Sequence, residues 1–211
     1  LDYVASLPTN QYHPVQELLK RIHAETDLND APDHARPELL FSHYFGAKDS
    51  DLIQQYSKRF MISAIKRVME PGCKSDNLPV LIGPQGCGKS TGIRKLALED
   101  RFFSDTPFDV KNKDSYQMLK GVWLYEIGEA ESLLKGGFRA IKGFITSQVD
   151  RYRKPYKAHV TPSPRGNVFL CTTNEMQLEF LGDPTGSRRY WSMMVGIEND
   201  VRVEEIQDDN V

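Results

Sequence analysis

The sequence predicts an α/β protein in which a parallel β-sheet follows a helical N-terminal part. Three observations predict this class. Residues 51–69 have apolar side chains at three- and four-residue steps, the pattern of an amphipathic helix. Short uninterrupted apolar runs follow, which are typical of strands buried on both faces. A glycine-rich loop at residues 83–91 lies between one such run and a second helical pattern, as in phosphate-binding loops.

The chain divides by pattern into three segments. We expect a helical segment over residues 1–70, a core over residues 71–197 and an acidic tail over residues 198–211. The main helix of the first segment is expected to stop at Pro71-Gly72, because proline and glycine end helices. Its apolar stripe consists of Ile53, Tyr56, Phe60, Ala64 and Val68.

Four apolar runs predict the strands of the core. They are PVLI at 79–82, GVWLY at 121–125, NVFLC at 167–171 and YWSMMV at 190–195. Each run is followed by a turn or a helical pattern. We therefore expect a parallel sheet with helices outside it.

Composition limits the class of protein. Hydrophobic residues make up 39% and charged residues 27% of the 211-residue chain, as in globular domains. No apolar run approaches the ~18 residues that span a bilayer, so no membrane segment is expected. The three cysteines form no CxxC pair, which favours a reduced, cytoplasmic protein. Because the chain does not begin with Met, we expect it to be a piece of a longer protein.

The loop GPQGCGKST fits the pattern G-x-x-x-x-G-K-[ST] in the required context of strand, loop and helix. Its glycines let backbone N–H groups approach phosphate oxygens, and the helix N-terminus adds partial positive charge. Lys89 is expected to reach the β- and γ-phosphates, and the Ser90 hydroxyl to ligate Mg²⁺. The expected nucleotide-binding residues are Gly83, Pro84, Gln85, Gly86, Cys87, Gly88, Lys89, Ser90 and Thr91.

The expected nucleotide is ATP. A GTP switch would carry N-K-x-D after a strand, and the nearest stretch, KNKDS at 111–115, lacks both the spacer and the strand. A small-molecule kinase would need an acceptor site, which no stretch of the sequence resembles. A motor ATPase is the remaining class of nucleotide hydrolase.

A motor needs a carboxylate that holds the metal at the end of a second buried strand, and Glu126 stands there. The acid that orients the attacking water is usually adjacent to it, but here the next acid is Glu129. Either both carboxylates face the phosphates, or Glu126 alone does and Glu129 is a first-turn acid of the next helix. Asn174, at the end of a third strand, is expected to hold the water against the γ-phosphate.

Together these stretches resemble the virulence-associated protein E family, ATPases of phages, plasmids and genomic islands related to superfamily 3 helicases. The matching stretches include GPQGCGKST, GVWLYEIGEAE at 121–131, KGFITSQVDRYRKPY at 142–156, FLCTTN at 169–174 and FLGDPTGSRRYW at 180–191. The resemblance implies a RecA/AAA+-like P-loop core, work in DNA replication and a homo-oligomeric, hexameric ring. It also implies a bacterial, phage or mobile-element origin.

The adjacent pair Arg188-Arg189 has a role in such a ring. The resemblance implies that one arginine reaches the γ-phosphate in the neighbouring subunit, where a guanidinium offsets developing charge. The other arginine is then left for a structural ion pair. The sequence alone does not distinguish the two.

A basic and aromatic stretch at residues 150–166 is the expected DNA-facing element. The net charge of the chain is −2, but a near-neutral total is compatible with a local basic face. Basic groups can follow a phosphate backbone while tyrosines stack on bases. The alternative is structural, with Asp150, Arg153 and Tyr156 making ion pairs and packing near the nucleotide. The candidate DNA-binding residues are Arg151, Arg153, Lys154, Lys157 and His159, of which Lys157 and His159 face the ring channel by resemblance.

The sequence thus predicts the ATP-hydrolysing motor core of a mobile-element replication protein, a helicase or translocase on single-stranded DNA. A protein that binds the nucleotide as a structural or switching ligand, with little turnover, is the alternative. ATP hydrolysis that rises with single-stranded DNA distinguishes the two.

Overall fold

The structure is a computed structural model. It describes residues 13–26, 32–109, 112–128, 138–153, 160–174, 187–196, 201–202 and 205–206. Contacts within the chain separate two units, Leu1–Asp30 and Ala31–Val211. The expected division of the chain into segments 1–70, 71–197 and 198–211 stays a prediction.

The first unit contains helix α1, which spans Pro14–Glu25. It begins where the ring nitrogen of His13 accepts a hydrogen bond from the Gln16 N–H at 3.4 Å, and Pro14 occupies its first position. Proline is favoured there because its missing N–H would have no helical partner. The helix ends at Thr26, whose backbone is extended.

The second unit begins with short turns and a long helix. Two 3₁₀ turns at Asp33–Ala35 and Pro37–Leu39 lead into a π-helical turn at Leu40–Tyr44, and helix α2 spans Asp51–Met69. The Ser50 hydroxyl caps α2 by accepting from the Ile53 N–H at 3.3 Å. The predicted helix is confirmed, and most of its predicted stripe is buried.

Five parallel strands form the sheet, in the order β2-β3-β6-β1-β7. The strands are β1 (Leu78–Ile82), β2 (Phe103–Ser104), β3 (Leu124–Gly128), β6 (Val168–Thr173) and β7 (Tyr190–Met194). All five residues of β1, which lies between β6 and β7, are buried. The predicted parallel α/β fold is therefore confirmed.

The second predicted strand lies later in the chain than expected. Residue Gly121 has φ +83° and belongs to a turn, so β3 begins at Leu124 and not at residue 121. Glu126 is consequently the middle residue of β3, within the sheet and not beyond its end.

Two α-helices, three 3₁₀ helices (Asp100–Phe102, Lys113–Leu119 and Ser187–Arg189) and a hairpin complete the described fold. Helix α3 spans Lys89–Leu96 and helix α4 spans Phe138–Thr146. Between β3 and β6 in the chain, β4 (Val149–Arg153) and β5 (Val160–Pro164) pair antiparallel. This hairpin is a two-stranded sheet separate from the main one.

A buried ion pair fixes the base of the hairpin. Arg165 donates to both oxygens of Asp150, at 2.8 and 2.7 Å, and to the backbone oxygen of Phe144. Its guanidinium also lies 4.5 Å from the ring centre of Phe144 and 5.3 Å from that of Phe169. Since Phe144 is in α4 and Phe169 in β6, one side chain ties the hairpin to a helix and to the sheet.

Candidate functional site

The phosphate-loop sequence lies at the carboxyl end of β1 and leads directly into α3. Gly86 and Gly88 have φ of +84° and +91°, a region that favours glycine. At Gly83 the restriction is space, because an added Cβ would lie 2.2 Å from the backbone oxygen of Val195. The loop therefore requires glycine for two separate reasons, which are the backbone conformation at Gly86 and Gly88 and the close approach of the Val195 backbone at Gly83.

Lys89 is the buried cation at the centre of this loop. Its ammonium group donates to the backbone oxygens of Gly83 and Pro84, at 2.8 and 2.7 Å, and to Asn174 Oδ1 at 3.1 Å. The loop thus folds around its own lysine side chain. An anion entering the loop would meet this charge together with the N–H groups of the first turn of α3.

A carboxylate and two hydroxyls meet beside the lysine. Ser90 Oγ and Thr172 Oγ1 each donate to Oε1 of Glu126 at 2.6 Å. Glu126 is only 2% exposed, and its Oε2 has no hydrogen-bond partner in the part of the chain that the structure describes.

This donor set fits a divalent cation of the magnesium type. Mg²⁺ takes oxygen ligands and is commonly held by one or two carboxylates together with phosphates and water. A buried carboxylate oxygen without a partner, next to a serine hydroxyl and a phosphate loop, supplies such ligands. Ser90 and Glu126 are the residues that would hold the ion.

The end of β6 brings a third element to the loop. Thr172 contacts Glu126, the Thr173 backbone oxygen accepts from the Gly83 N–H at 3.1 Å, and Asn174 contacts Lys89. Three consecutive residues therefore touch the carboxylate, the loop backbone and the lysine. The parallel register of β3 with β6, and of β6 with β1, places all these groups at one edge of the sheet.

Residues 28–210 match the family model of the virulence-associated protein E-like domain. The chain belongs to this family. The match covers the phosphate loop, β3, the hairpin and the arginine pair in one stretch. It confirms the family that the sequence motifs resemble.

Known structures and proteins resemble parts of this family member. The C-terminal region of NrS-1 (residues 305–718, apo form) has a TM-score of 0.50 and 15% identity, covering 85% of this chain and 43% of that chain. At that identity the likeness shows the fold alone. The checkpoint protein rad17 of Schizosaccharomyces pombe is 42% identical over 64 residues, which is 30% of this chain and 10% of that protein. The chain thus spans less than half the length of each of these two proteins.

In this member of the virulence-associated protein E-like family, the arginine pair lies far from the phosphate loop of the same chain. Arg188 and Arg189 immediately precede β7, and β7 runs parallel to β1 with Tyr190 opposite Leu78. The arginines thus lie at the amino edge of the sheet, whereas the loop lies at the carboxyl edge. Arg188 is exposed, and Nε of Arg189 lies 4.0 Å from Oδ2 of Asp76.

The structure describes part of the expected DNA-facing stretch. In β4, Arg151 is exposed and Tyr152 is buried, as alternation along a strand requires. Arg153 is the last residue of that strand. The DNA-binding candidates Lys154, Lys157 and His159 lie outside the described residues. Glu129, the acidic residue with a candidate catalytic role, lies outside them as well.

Sequence reasoning missed three contributors to the site. Thr172 lies in the predicted strand end FLCTTN, but its separation from Glu126 in the sequence does not indicate that the two strands are in contact. Arg165 is 15 positions from its partner Asp150, too far for a pattern of charge pairs along one element. The backbone N–H of Val201 donates to the oxygen of Cys87 at 3.0 Å, so a segment near the end of the chain braces the loop.

A buried thiol lies next to the carboxylate strand. Burial, with a smaller contribution from the negative charge of Glu126, raises the pKa of the Cys171 thiol to about 12. Cys171 is therefore a neutral thiol at physiological pH and a packing residue beneath the site. Cys73 and Cys87 are free as well.

The described residues include no helix that is both long and apolar enough to span a membrane.

Proposed function

We propose that this chain is the ATP-hydrolysing motor core of a mobile-element DNA replication protein, of the superfamily 3 helicase type. The observation that carries the proposal is the convergence of the Lys89 ammonium and the Ser90–Glu126–Thr172 cluster at one edge of the sheet. Membership of the virulence-associated protein E-like family supports a task in replication.

In this proposal the phosphates of ATP lie in the loop. The β- and γ-phosphates take the place of the backbone oxygens of Gly83 and Pro84 as partners of the Lys89 ammonium. When bound, Mg²⁺ supplies positive charge that neutralises the β- and γ-phosphate oxygens. Ser90 and Glu126 orient that charge. Backbone N–H groups of the loop from Gln85 onward donate to the phosphates, since Pro84 has no N–H and that of Gly83 donates to Thr173.

The attacking water is held by Asn174 in this proposal. Binding of phosphate to Lys89 releases the Asn174 amide from its contact with the ammonium, so that it is free to hydrogen-bond a water. Glu129 remains the candidate base that accepts the proton of that water. Its alternative role, an acid in the first turn of a helix, remains open as well.

The site is completed by an arginine from a second subunit. Arg188 and Arg189 lie at the edge of the sheet opposite the loop, and this placement supports a role in trans. In a hexameric ring that edge would face the nucleotide of the neighbouring subunit. Such an arginine is worth roughly 10³–10⁵ in rate in nucleotide hydrolases.

The β4–β5 hairpin is the proposed contact with single-stranded DNA. Its exposed Arg151 and the basic residues beyond β4 supply charges for the phosphate backbone, with Lys157 and His159 at the channel. The buried Asp150–Arg165 pair supports a rigid base for such an element. Of the residues named in the structural alternative, Asp150 forms an ion pair, with Arg165, and the roles of Arg153 and Tyr156 stay open.

The deciding experiment measures ATP hydrolysis with and without single-stranded DNA, at protein concentrations that allow rings to form. We expect Mg²⁺-dependent hydrolysis that rises when DNA is added, and its loss in Lys89→Ala, which removes the fixed charge at the phosphates. Tight ATP binding without turnover under every condition would support the switching protein instead. Full activity of Lys89→Ala would exclude the proposed motor site.

A further inference from the structure

Thr172 makes a contact that the loop motif does not assign. Its side chain is buried, at 6% exposure, and lies in the last part of β6. Its hydroxyl donates to Oε1 of Glu126, on the adjacent parallel strand β3, at 2.6 Å. The hydroxyl of a strand residue therefore reaches across the sheet to the carboxylate that would hold the metal.

The two donors on Oε1 differ in what happens to them when nucleotide binds. Ser90 belongs to the phosphate loop and would turn a lone pair of its oxygen to the cation. Thr172 belongs to the sheet and has no part in holding phosphate. Its hydrogen bond can persist while the loop adjusts, so it is the constant restraint on the carboxylate.

We propose that Thr172 is a positioning residue that orients Glu126 toward the divalent cation. The Thr172 hydroxyl donates to Oε1 of Glu126, whereas Oε2 has no hydrogen-bond donor among the described residues and is available to the cation. A buried carboxylate held in this way is preorganised as a ligand, and its rotation costs the broken hydrogen bond. The inference rests on the proposed nucleotide site and adds a residue to it.

The test uses variants that separate the hydroxyl from the volume of the side chain. Thr172→Val removes the hydroxyl at nearly constant shape, Thr172→Ser keeps it, and Thr172→Cys keeps only a weak donor. Thr146→Val is the matched control, because the Thr146 hydroxyl donates to the Lys142 backbone oxygen within α4, at 2.8 Å. Each variant is first checked for cooperative unfolding.

The first measurement is binding of a fluorescent ATP analogue, titrated with Mg²⁺ and repeated in EDTA. Without metal, we expect Thr172→Val to bind as the wild type does. With metal, we expect the half-saturating Mg²⁺ concentration to rise roughly 10–100-fold, the usual effect of removing a partner of a metal ligand. Thr172→Ser should restore the wild-type value and Thr172→Cys should resemble Thr172→Val.

The second measurement is the split between kcat and KM at saturating Mg²⁺. A positioning role predicts a lower kcat with little change in KM for ATP, and recovery in Thr172→Ser. Wild-type Mg²⁺ dependence in Thr172→Val would overturn the inference, as would equal impairment of the serine variant. If Thr172→Val does not fold, Thr172→Cys and Thr172→Ser decide by the same comparison.

The outcomes also separate this inference from the proposed function. If the wild-type protein binds no nucleotide, the proposed function fails and the inference fails with it. If the wild type shows Mg²⁺-linked binding that Thr172→Val shares unchanged, only the role of Thr172 is wrong.

Discussion

At the scale of single residues, Gly83 is a position of the loop that has no space for a side chain. An added Cβ would lie 2.2 Å from the backbone oxygen of Val195, which directly follows β7 and cannot move aside cheaply because the interior is close-packed. We expect Gly83→Ala to lower the free energy of unfolding by roughly 1–3 kcal/mol, as overpacking does, and to weaken nucleotide binding. Thermal and denaturant unfolding measure the first effect.

Gly143→Ala is the matched control for this substitution. Gly143 lies in α4, and no atom of the described residues lies within 4 Å of an added Cβ there. Alanine should be neutral or stabilising by up to about 1 kcal/mol at such a helix position. Equal stability of the Gly83 and Gly143 variants would contradict the close approach described at the loop.

Single residues also show how far the sequence predicts the site. Lys89 and Ser90 follow from a fixed spacing within one loop, and Glu126 follows from its position in a buried run. Thr172 does not follow, because its role depends on which strands are neighbours and in what register. Sequence spacing describes contacts within an element, whereas the contact of β6 with β3 is a property of the sheet.

At the scale of elements, the β4–β5 hairpin depends on a buried charge pair. Asp150→Asn removes the charge that compensates Arg165, whose side chain has no solvent exposure. Because a buried charge without its partner is costly, we expect a loss of roughly 3–5 kcal/mol in the free energy of unfolding. Urea denaturation followed by circular dichroism measures it.

Glu38→Gln gives the comparison for an exposed pair. Lys58 donates to Glu38 at 2.7 Å, but both side chains are partly in water. Exposed pairs contribute less than about 1 kcal/mol. If Asp150→Asn costs no more than Glu38→Gln, the pair is not what fixes the base of the hairpin.

The elements were predicted better by type than by boundary. Helix α2 and the strand before the loop were predicted almost to the residue, because periodicity and a proline–glycine stop define them. Strand β3 was predicted three residues too early, since apolar residues in a turn look the same as those in a strand. Only the left-handed backbone at Gly121 marks the difference.

At the scale of the whole molecule, the arginine pair can be tested by mixing two inactive proteins. The Arg188→Ala, Arg189→Ala double variant keeps its phosphate loop, while Lys89→Ala keeps both arginines. Each should be nearly inactive alone, and a mixture should regain part of the ATPase activity through interfaces that join an intact loop to an intact arginine pair. Turnover per subunit, measured against mixing ratio, shows the effect.

Arg188→Ala alone distinguishes the two arginines. Arg188 is exposed, whereas Arg189 lies near Asp76, so we expect the single variant to be as inactive as the double one. It should also complement Lys89→Ala equally well. A ring-forming mixture without any recovery would exclude the role in trans.

Strand β7 has a mechanical consequence for such a ring. It begins directly after the arginine pair and runs beside β1 to Met194, and Val195 follows it. The Val195 N–H donates to the backbone oxygen of Ile82 at 2.8 Å, and the Val195 backbone oxygen lies against Gly83. A strand of this length spans about 16 Å and hardly stretches. If the chain acts in the proposed ring, a displacement of the arginine pair when the neighbour exchanges ATP for ADP would also displace the backbone that lies against Gly83. The proposed ring would then hydrolyse ATP sequentially, because the phosphate loop of each subunit would respond to the nucleotide of its neighbour.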